Sequence, residues 1–127
     1  MLTQLVYTSR PRFDVSNAAG QGILEQIAQT ARRYNGEHDI SGVLLAGPGW
    51  LAQVLEGEPE ALTPLITRIL ADSRHDCVVI IEMRRIDQRR FGRWALGVST
   101  CPMNQLPVDR LGVITADELA ELGKIAP

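Results

Sequence analysis

The chain lacks several features that mark large classes of protein. It has two cysteines, Cys77 and Cys101, with no CxxC spacing. That excludes a disulfide framework or a cysteine-built zinc site and predicts two small buried hydrophobes. No stretch approaches the apolar length needed to span a bilayer, and the opening "MLTQLVYTSR" has no basic segment of a secretory leader, so a cytoplasmic protein without a membrane partner is expected. A dominant charge is missing too. Thirteen Lys and Arg against 15 Asp and Glu leave a formal net charge of −2, which gives no overall attraction to nucleic acid. Repeats, low-complexity tracts and linkers are absent, and 127 residues can bury the core of one domain.

What is present is a succession of short elements. "LTQLVYT" (2–8) reads as a strand and "RPRFDVSNAAGQG" as a loop of turn formers. Ile23, Leu24, Ile27, Ala28, Ala31 and Tyr34 recur at helical spacing and predict a helix from Ile23 to Asn35. "ISGVLLAG" and "WLAQVLEG" form a hairpin through "PGW". A second helix is expected in "TPLITRILAD", with Thr63 as its cap and Pro64 in the first helical position, or kinked at Pro64 if "EPEALT" joins it. "CVVIIEMRRI" and "RWALGVST" read as the fourth and fifth strands. In the tail, "TADELAELG" carries a capping box (Thr115, Glu118) and a Gly123 stop, which predict a third helix. The order βαββαββ predicts an α+β, ferredoxin-like sandwich. Two helices cover one face of a mostly antiparallel sheet and the helical tail covers the other.

One residue conflicts with this pattern. Along "WLAQVLEG", Leu51, Gln53 and Leu55 share a strand face, so Gln53 sits among leucines. Burying its amide without partners costs about 1 to 3 kcal/mol. Tyr7, Asn35, and the pair Arg68 and Asp72 one helical turn apart could converge with it on the cleft between helices and sheet. Each also has an ordinary explanation: a strand aromatic, a helix C-cap, a solvated surface pair. His75 reads as structural or surface. An acylphosphatase-like hydrolase using Arg10 or Arg12 with Asn35 is a rival, though the loop has no compact glycine-rich phosphate cradle. A flavin-free interaction module of the same fold is another.

Taken together, "LVYTS", "YNGEHDISGVLL", "QVLEGEPEALTPLITRILADSRH" and "RRFGRWALG" resemble the BLUF domains, blue-light sensors that bind flavin non-covalently. The resemblance covers residues 2 to about 100, with motifs in family order and spacing. It implies that Tyr7 and Gln53 are the photoactive pair, with Trp94 and Leu96 nearby. It also implies that Asn35 bonds the ring's polar edge, that Ile27 and Ile69 sandwich the ring, and that Arg68 and Asp72 meet the ribityl and phosphate end. Light would drive electron and proton transfer from tyrosine to flavin and leave the glutamine rearranged, with no substrate turned over and no enzyme activity. Leu96 stands where many relatives have methionine.

The cofactor expected is FAD, with FMN and riboflavin left open. Residues 1–100 would be the photosensory domain and 101–127 a helical extension of it. With no effector domain following in this chain, the tail is expected to signal through a homo-oligomer or a separate downstream protein. Trp94, Leu96 and Val98, expected on one face of the fifth strand, would relay the change.

Overall fold

The structure is a computed structural model and describes residues 1–92, 94–101 and the strand at 124–126. Its elements are β1 (Thr3–Pro11), α1 (Ala18–Glu37), β2 (Ser41–Gly47), β3 (Trp50–Gly57), α2 (Pro59–Ala71), β4 (His75–Arg85), β5 (Gly97–Thr100) and β6 (Lys124–Ala126). The sheet runs β4-β1-β3-β2-β5-β6, antiparallel throughout except for the parallel β2–β5 pair. The α+β arrangement is therefore the expected one, with one strand more.

The β2–β3 hairpin turns at Pro48–Gly49, where Gly49 has φ 77°, a value that costs a residue without Cβ little. The strict alternation of β3 divides the core. Trp50, Ala52 and Val54 pack with Val6, Val43, Leu45, Phe91 and Cys101 on one face. On the other, Leu51 joins Leu44, Ala46, Leu96 and the α1 residues Leu24 and Ala28, while Leu55 joins Leu5, Tyr7 and the α2 residues Leu62 and Leu65. Gln53 lies between those two leucines, so it falls where the territory of α1 meets that of α2.

Several boundaries differ from the sequence reading. Strand β1 continues to Pro11 because β4 pairs with it to the end. Helix α1 begins five residues early at Ala18, since Asn17 Oδ1 accepts the Gly20 N–H at 2.7 Å and caps it. Helix α2 begins at Pro59, as in the alternative where "EPEALT" joins it, so Thr63 is not its cap. The Thr63 hydroxyl donates back to Pro59 O at 2.8 Å and Pro64 sits inside the helix. Cys77 is exposed, on an edge strand with φ 52°, and only Cys101 is buried. β5 is four residues long: Trp94, Ala95 and Leu96 precede it. Trp94 packs with Phe91 on the face away from the helices, whereas Leu96 and Val98 pack toward α1, so the three do not share a face. The helix expected over Thr115–Gly123 lies outside the described residues, and Lys124–Ala126, expected within the helical extension, is an edge strand paired with β5.

The long connection from β4 to β5 is fixed by a buried carboxylate. Glu56, with no exposed surface, accepts the Ser41 hydroxyl at 3.0 Å and the backbone N–H groups of Arg90 and Phe91 at 2.6 and 2.9 Å. Arg89 donates to Ser41 Oγ, Glu56 O and Asp39 O from the same corner.

Candidate functional site

The two helices do not close over Gln53. A cavity of about 380 Å³ opens there, within the ordinary range for small-molecule sites. Its lining includes all seven residues expected to bind a ligand: Tyr7, Ile27, Asn35, Gln53, Arg68, Ile69 and Asp72. Ile27 from α1 and Ile69 from α2 are aliphatic walls on opposing helices. Leu44, Leu51 and Leu65 add to the apolar surface.

Tyr7 and Gln53 are direct cross-strand partners in the β1–β3 register. The phenol O–H donates to Gln53 Oε1 at 2.5 Å, and both residues are almost wholly buried. Burial, and secondarily the Asp72 carboxylate, push the Tyr7 hydroxyl well above the ordinary phenol range, so its proton stays in place at neutral pH. With one lone pair of Oε1 taken by the phenol, the Gln53 amide has a second lone pair there and two N–H donors on Nε2.

Asn35, fully buried two residues before the end of α1, donates from Nδ2 to Ala95 O at 2.7 Å. Its Oδ1 is buried with no hydrogen-bond partner among the described residues. Such an atom costs stability unless something donates to it, and here it belongs to a residue of the cavity wall.

The expected pair of Arg68 and Asp72 is not formed. α2 ends at Ala71, which takes Asp72 off the helix, and a fork from Arg74 Nε and Nη2 at 2.9 and 2.6 Å holds its carboxylate. That contact lowers the Asp72 pKa below the usual carboxylate value. Arg68 lies over the Tyr34 ring, 4.9 Å from its centroid. Tyr34, whose hydroxyl donates to Ala61 O at 3.3 Å, bridges the two helices.

Arg74, Tyr34 and His75 are cavity residues that the sequence reading did not place there. Arg74 and His75 stand in "DSRH", and that motif was the available signal. His75 is structural in its bonding as well: Nε2 meets Ile69 O at 2.6 Å and Nδ1 meets Ser9 Oγ at 2.7 Å. A carbonyl oxygen can only accept, so Nε2 carries a proton. The ring ties the end of α2 to β1 beside Tyr7, which it meets edge-on.

Of the two residues expected nearby, Trp94 is not in the cavity lining and faces the opposite side of the sheet. Leu96 packs with Ala28, Leu44 and Leu51 on the cavity side without lining it. Nor does the hydrolase arrangement exist. Arg10 and Arg12 are committed to Asp76 at 2.8 and 3.3 Å, outside the cavity that contains Asn35.

Fold and site together define an α+β domain with a ligand-sized slot between its two helices and a buried phenol–amide pair in the wall of that slot. The chain belongs to the BLUF family, described as sensors of blue-light using FAD, whose model matches residues 2–97. It is 35% identical over 100 residues to the photoactivated adenylate cyclase subunit beta of Euglena longa, covering 78% of this chain and 11% of that protein. It is 32% identical to the blue light- and temperature-regulated antirepressor BluF of Escherichia coli, covering 73% of this chain and 22% of the relative. The chain thus spans a minor part of these relatives' length. The dark-state structure of BlrB, a BLUF protein, superposes with a TM-score of 0.74 at 30% identity, covering 95% of this chain and 91% of that one. As a member of this family of blue-light receptors, the chain binds flavin.

The residues present fit that group. A flat ring whose rim alternates carbonyls with an imide N–H needs aliphatic walls and amide partners. Ile27 and Ile69 provide the walls, the unpartnered Asn35 Oδ1 an acceptor, and the Gln53 amide donors. Among the described residues no group of His, Cys, Asp and Glu is arranged to hold a metal ion, and no helix is long and apolar enough to cross a membrane.

Proposed function

We infer that this chain senses blue light through Tyr7 and Gln53 and turns over no substrate. The observation that carries the reading is the buried Tyr7–Gln53 hydrogen bond in the wall of the slot. A bound flavin supplies the absorption of blue light and, once excited, an acceptor able to take an electron from a phenol. Tyr7 is the phenol in position. Its proton can pass to Gln53 Oε1, the atom it already donates to. Once the electron and a proton have returned to Tyr7, an amide left with one proton moved from Nε2 to Oε1, or turned end for end, has exchanged donor and acceptor without a net change of charge. That exchange is the signal. Asn35 orients the ring edge through Oδ1, and Arg68 and Asp72, the latter braced by Arg74, serve the ribityl and phosphate end.

FAD is the flavin proposed, in line with the family's description. Residues 1–100 form the photosensory unit and 101–127 its extension, which passes the signal to a second copy or to a downstream protein. Two free cysteines, one of them exposed, suit a cytoplasmic location. The test is a light-minus-dark absorption spectrum of the FAD-loaded protein, which should show a small reversible red shift. Tyr7→Phe and Gln53→Leu keep the slot apolar, so both should retain flavin and lose the shift. A normal shift in either variant defeats the mechanism.

A further inference from the structure

Three consecutive backbone carbonyls lead into β5, and each is held by a different donor. Trp94 O accepts from the Gly42 N–H of β2 at 3.2 Å, Ala95 O from Asn35 Nδ2 at 2.7 Å, and Leu96 O from Arg32 Nε at 3.0 Å. Arg32 and Asn35 stand three residues apart on α1 and so share a helix face. They grip adjacent peptides of a segment that lies outside the strands, since β5 starts only at Gly97. The Arg32 bond is charge-assisted, and its guanidinium is also 3.6 Å from Glu25.

Asn35 lines the cavity and Arg32 does not. The asparagine amide is planar and conjugated. One end holds Ala95 O while the other, Oδ1, has no partner among the described residues. A donor that bonds Oδ1 polarises the amide and makes Nδ2–H a stronger donor, because hydrogen bonds in a chain reinforce one another. The grip on Ala95 therefore depends on what faces Oδ1. Trp94 and Leu96, on either side of Ala95, pack on opposite faces of the sheet, so a displacement of this peptide reaches both cores.

We propose that Asn35 and Arg32 form a clamp that couples the state of the cavity to β5. Asn35 senses the ligand's rim, and Arg32 holds the next peptide so that the change passes into β5 instead of being absorbed by the segment before it. Arg32 is thus a positioning residue. The clamp rests on the flavin-sensor reading, and it is separate from the cross-strand row Gln53, Leu44 and Val98 that joins the photoactive pair to the same strand.

The test is amide hydrogen exchange at Gly97–Thr100 in the full FAD-loaded chain, dark and illuminated, for wild type, Arg32→Met and Arg32→Lys. Methionine keeps the aliphatic stem and removes the donor; lysine restores one donor with its charge. In wild type, light should change exchange in β5 about tenfold, which is about 1.4 kcal/mol or one ordinary hydrogen bond. Arg32→Met should keep flavin and the full red shift, with the β5 response reduced to under about twofold, and Arg32→Lys should recover part of it. A wild-type-sized response in Arg32→Met overturns the clamp, as does loss of the red shift there, which would put Arg32 in the photochemistry itself. If Arg32→Met does not fold, Arg32→Lys decides: a reduced β5 response supports the clamp and an undiminished one overturns it. Absence of a red shift in wild type defeats the flavin reading and the clamp with it, a result distinct from a red shift that leaves β5 unchanged.

Discussion

At the scale of single residues, the molecule places buried polar groups on both faces of β3 and treats them differently. On the helix side, Asn35 Oδ1 has no hydrogen-bond partner among the described residues, and a cavity adjoins both Asn35 and Gln53. On the far side, both carboxylate oxygens of Glu56 accept hydrogen bonds, from one hydroxyl and two backbone N–H groups. The first arrangement awaits a ligand; the second fixes the chain. Replacing Glu56 by glutamine puts amide N–H donors where an acceptor is needed. We expect Glu56→Gln to cost about 1 to 3 kcal/mol, read as a lower urea midpoint, with flavin retention unchanged because the residue faces away from the slot. An unchanged midpoint would show that the Arg90–Phe91 corner is held by something else.

At the scale of elements, α1 illustrates how local chemistry sets a boundary. Its two early glycines behave oppositely. A Cβ on Gly20 would lie 1.6 Å from Asp14 O, so the loop can cross the helix start only because no side chain is there, whereas a Cβ on Gly22 meets nothing. Gly22→Ala should therefore raise stability by about 0.5 to 1 kcal/mol, since glycine is the poorer helix former, and Gly20→Ala should lower it by about 1 to 3 kcal/mol. Thermal midpoints moving in the same direction for both would refute this account. Alternation and helical spacing are short-range, so β2, β3 and the apolar face of α1 were legible in the sequence. Boundaries set by partners were not. Asn17 becomes a cap only once Gly20 N–H turns toward it. Pro64 suggested a helix start although Pro59 begins α2. "WAL" is as apolar as a strand, yet its three carbonyls are taken by α1 and by Gly42. β6 is three residues with no pattern of its own. In the site, Gln53 could be found because a polar residue interrupts an apolar face. Arg74 escaped because its role depends on α2 ending one residue before Asp72, and Tyr34 because its spacing matches ordinary core.

At the scale of the whole molecule, the sheet ends in an open edge. Among the described residues β4 pairs only with β1, and it exposes Val79, Ile80, Ile81 and Met83 at 40 to 57%. A long apolar edge strand carries unpaired backbone donors and acceptors, and proteins usually protect such edges with lysine or proline. Here a second copy running antiparallel across the edge sets the apolar middle of the strand, Val79 to Met83, against the same segment of its partner. This supports the homo-oligomer proposed above and gives it an address. Ile81→Lys adds the missing charge without touching the cavity, which Ile81 does not line. The variant should retain flavin and the red shift, and elute from size exclusion as a smaller species with association weakened by at least about tenfold, equivalent to about 1.4 kcal/mol. A wild type that is already monomeric, or a variant that elutes with wild type, would remove β4 as the contact and leave association to another surface.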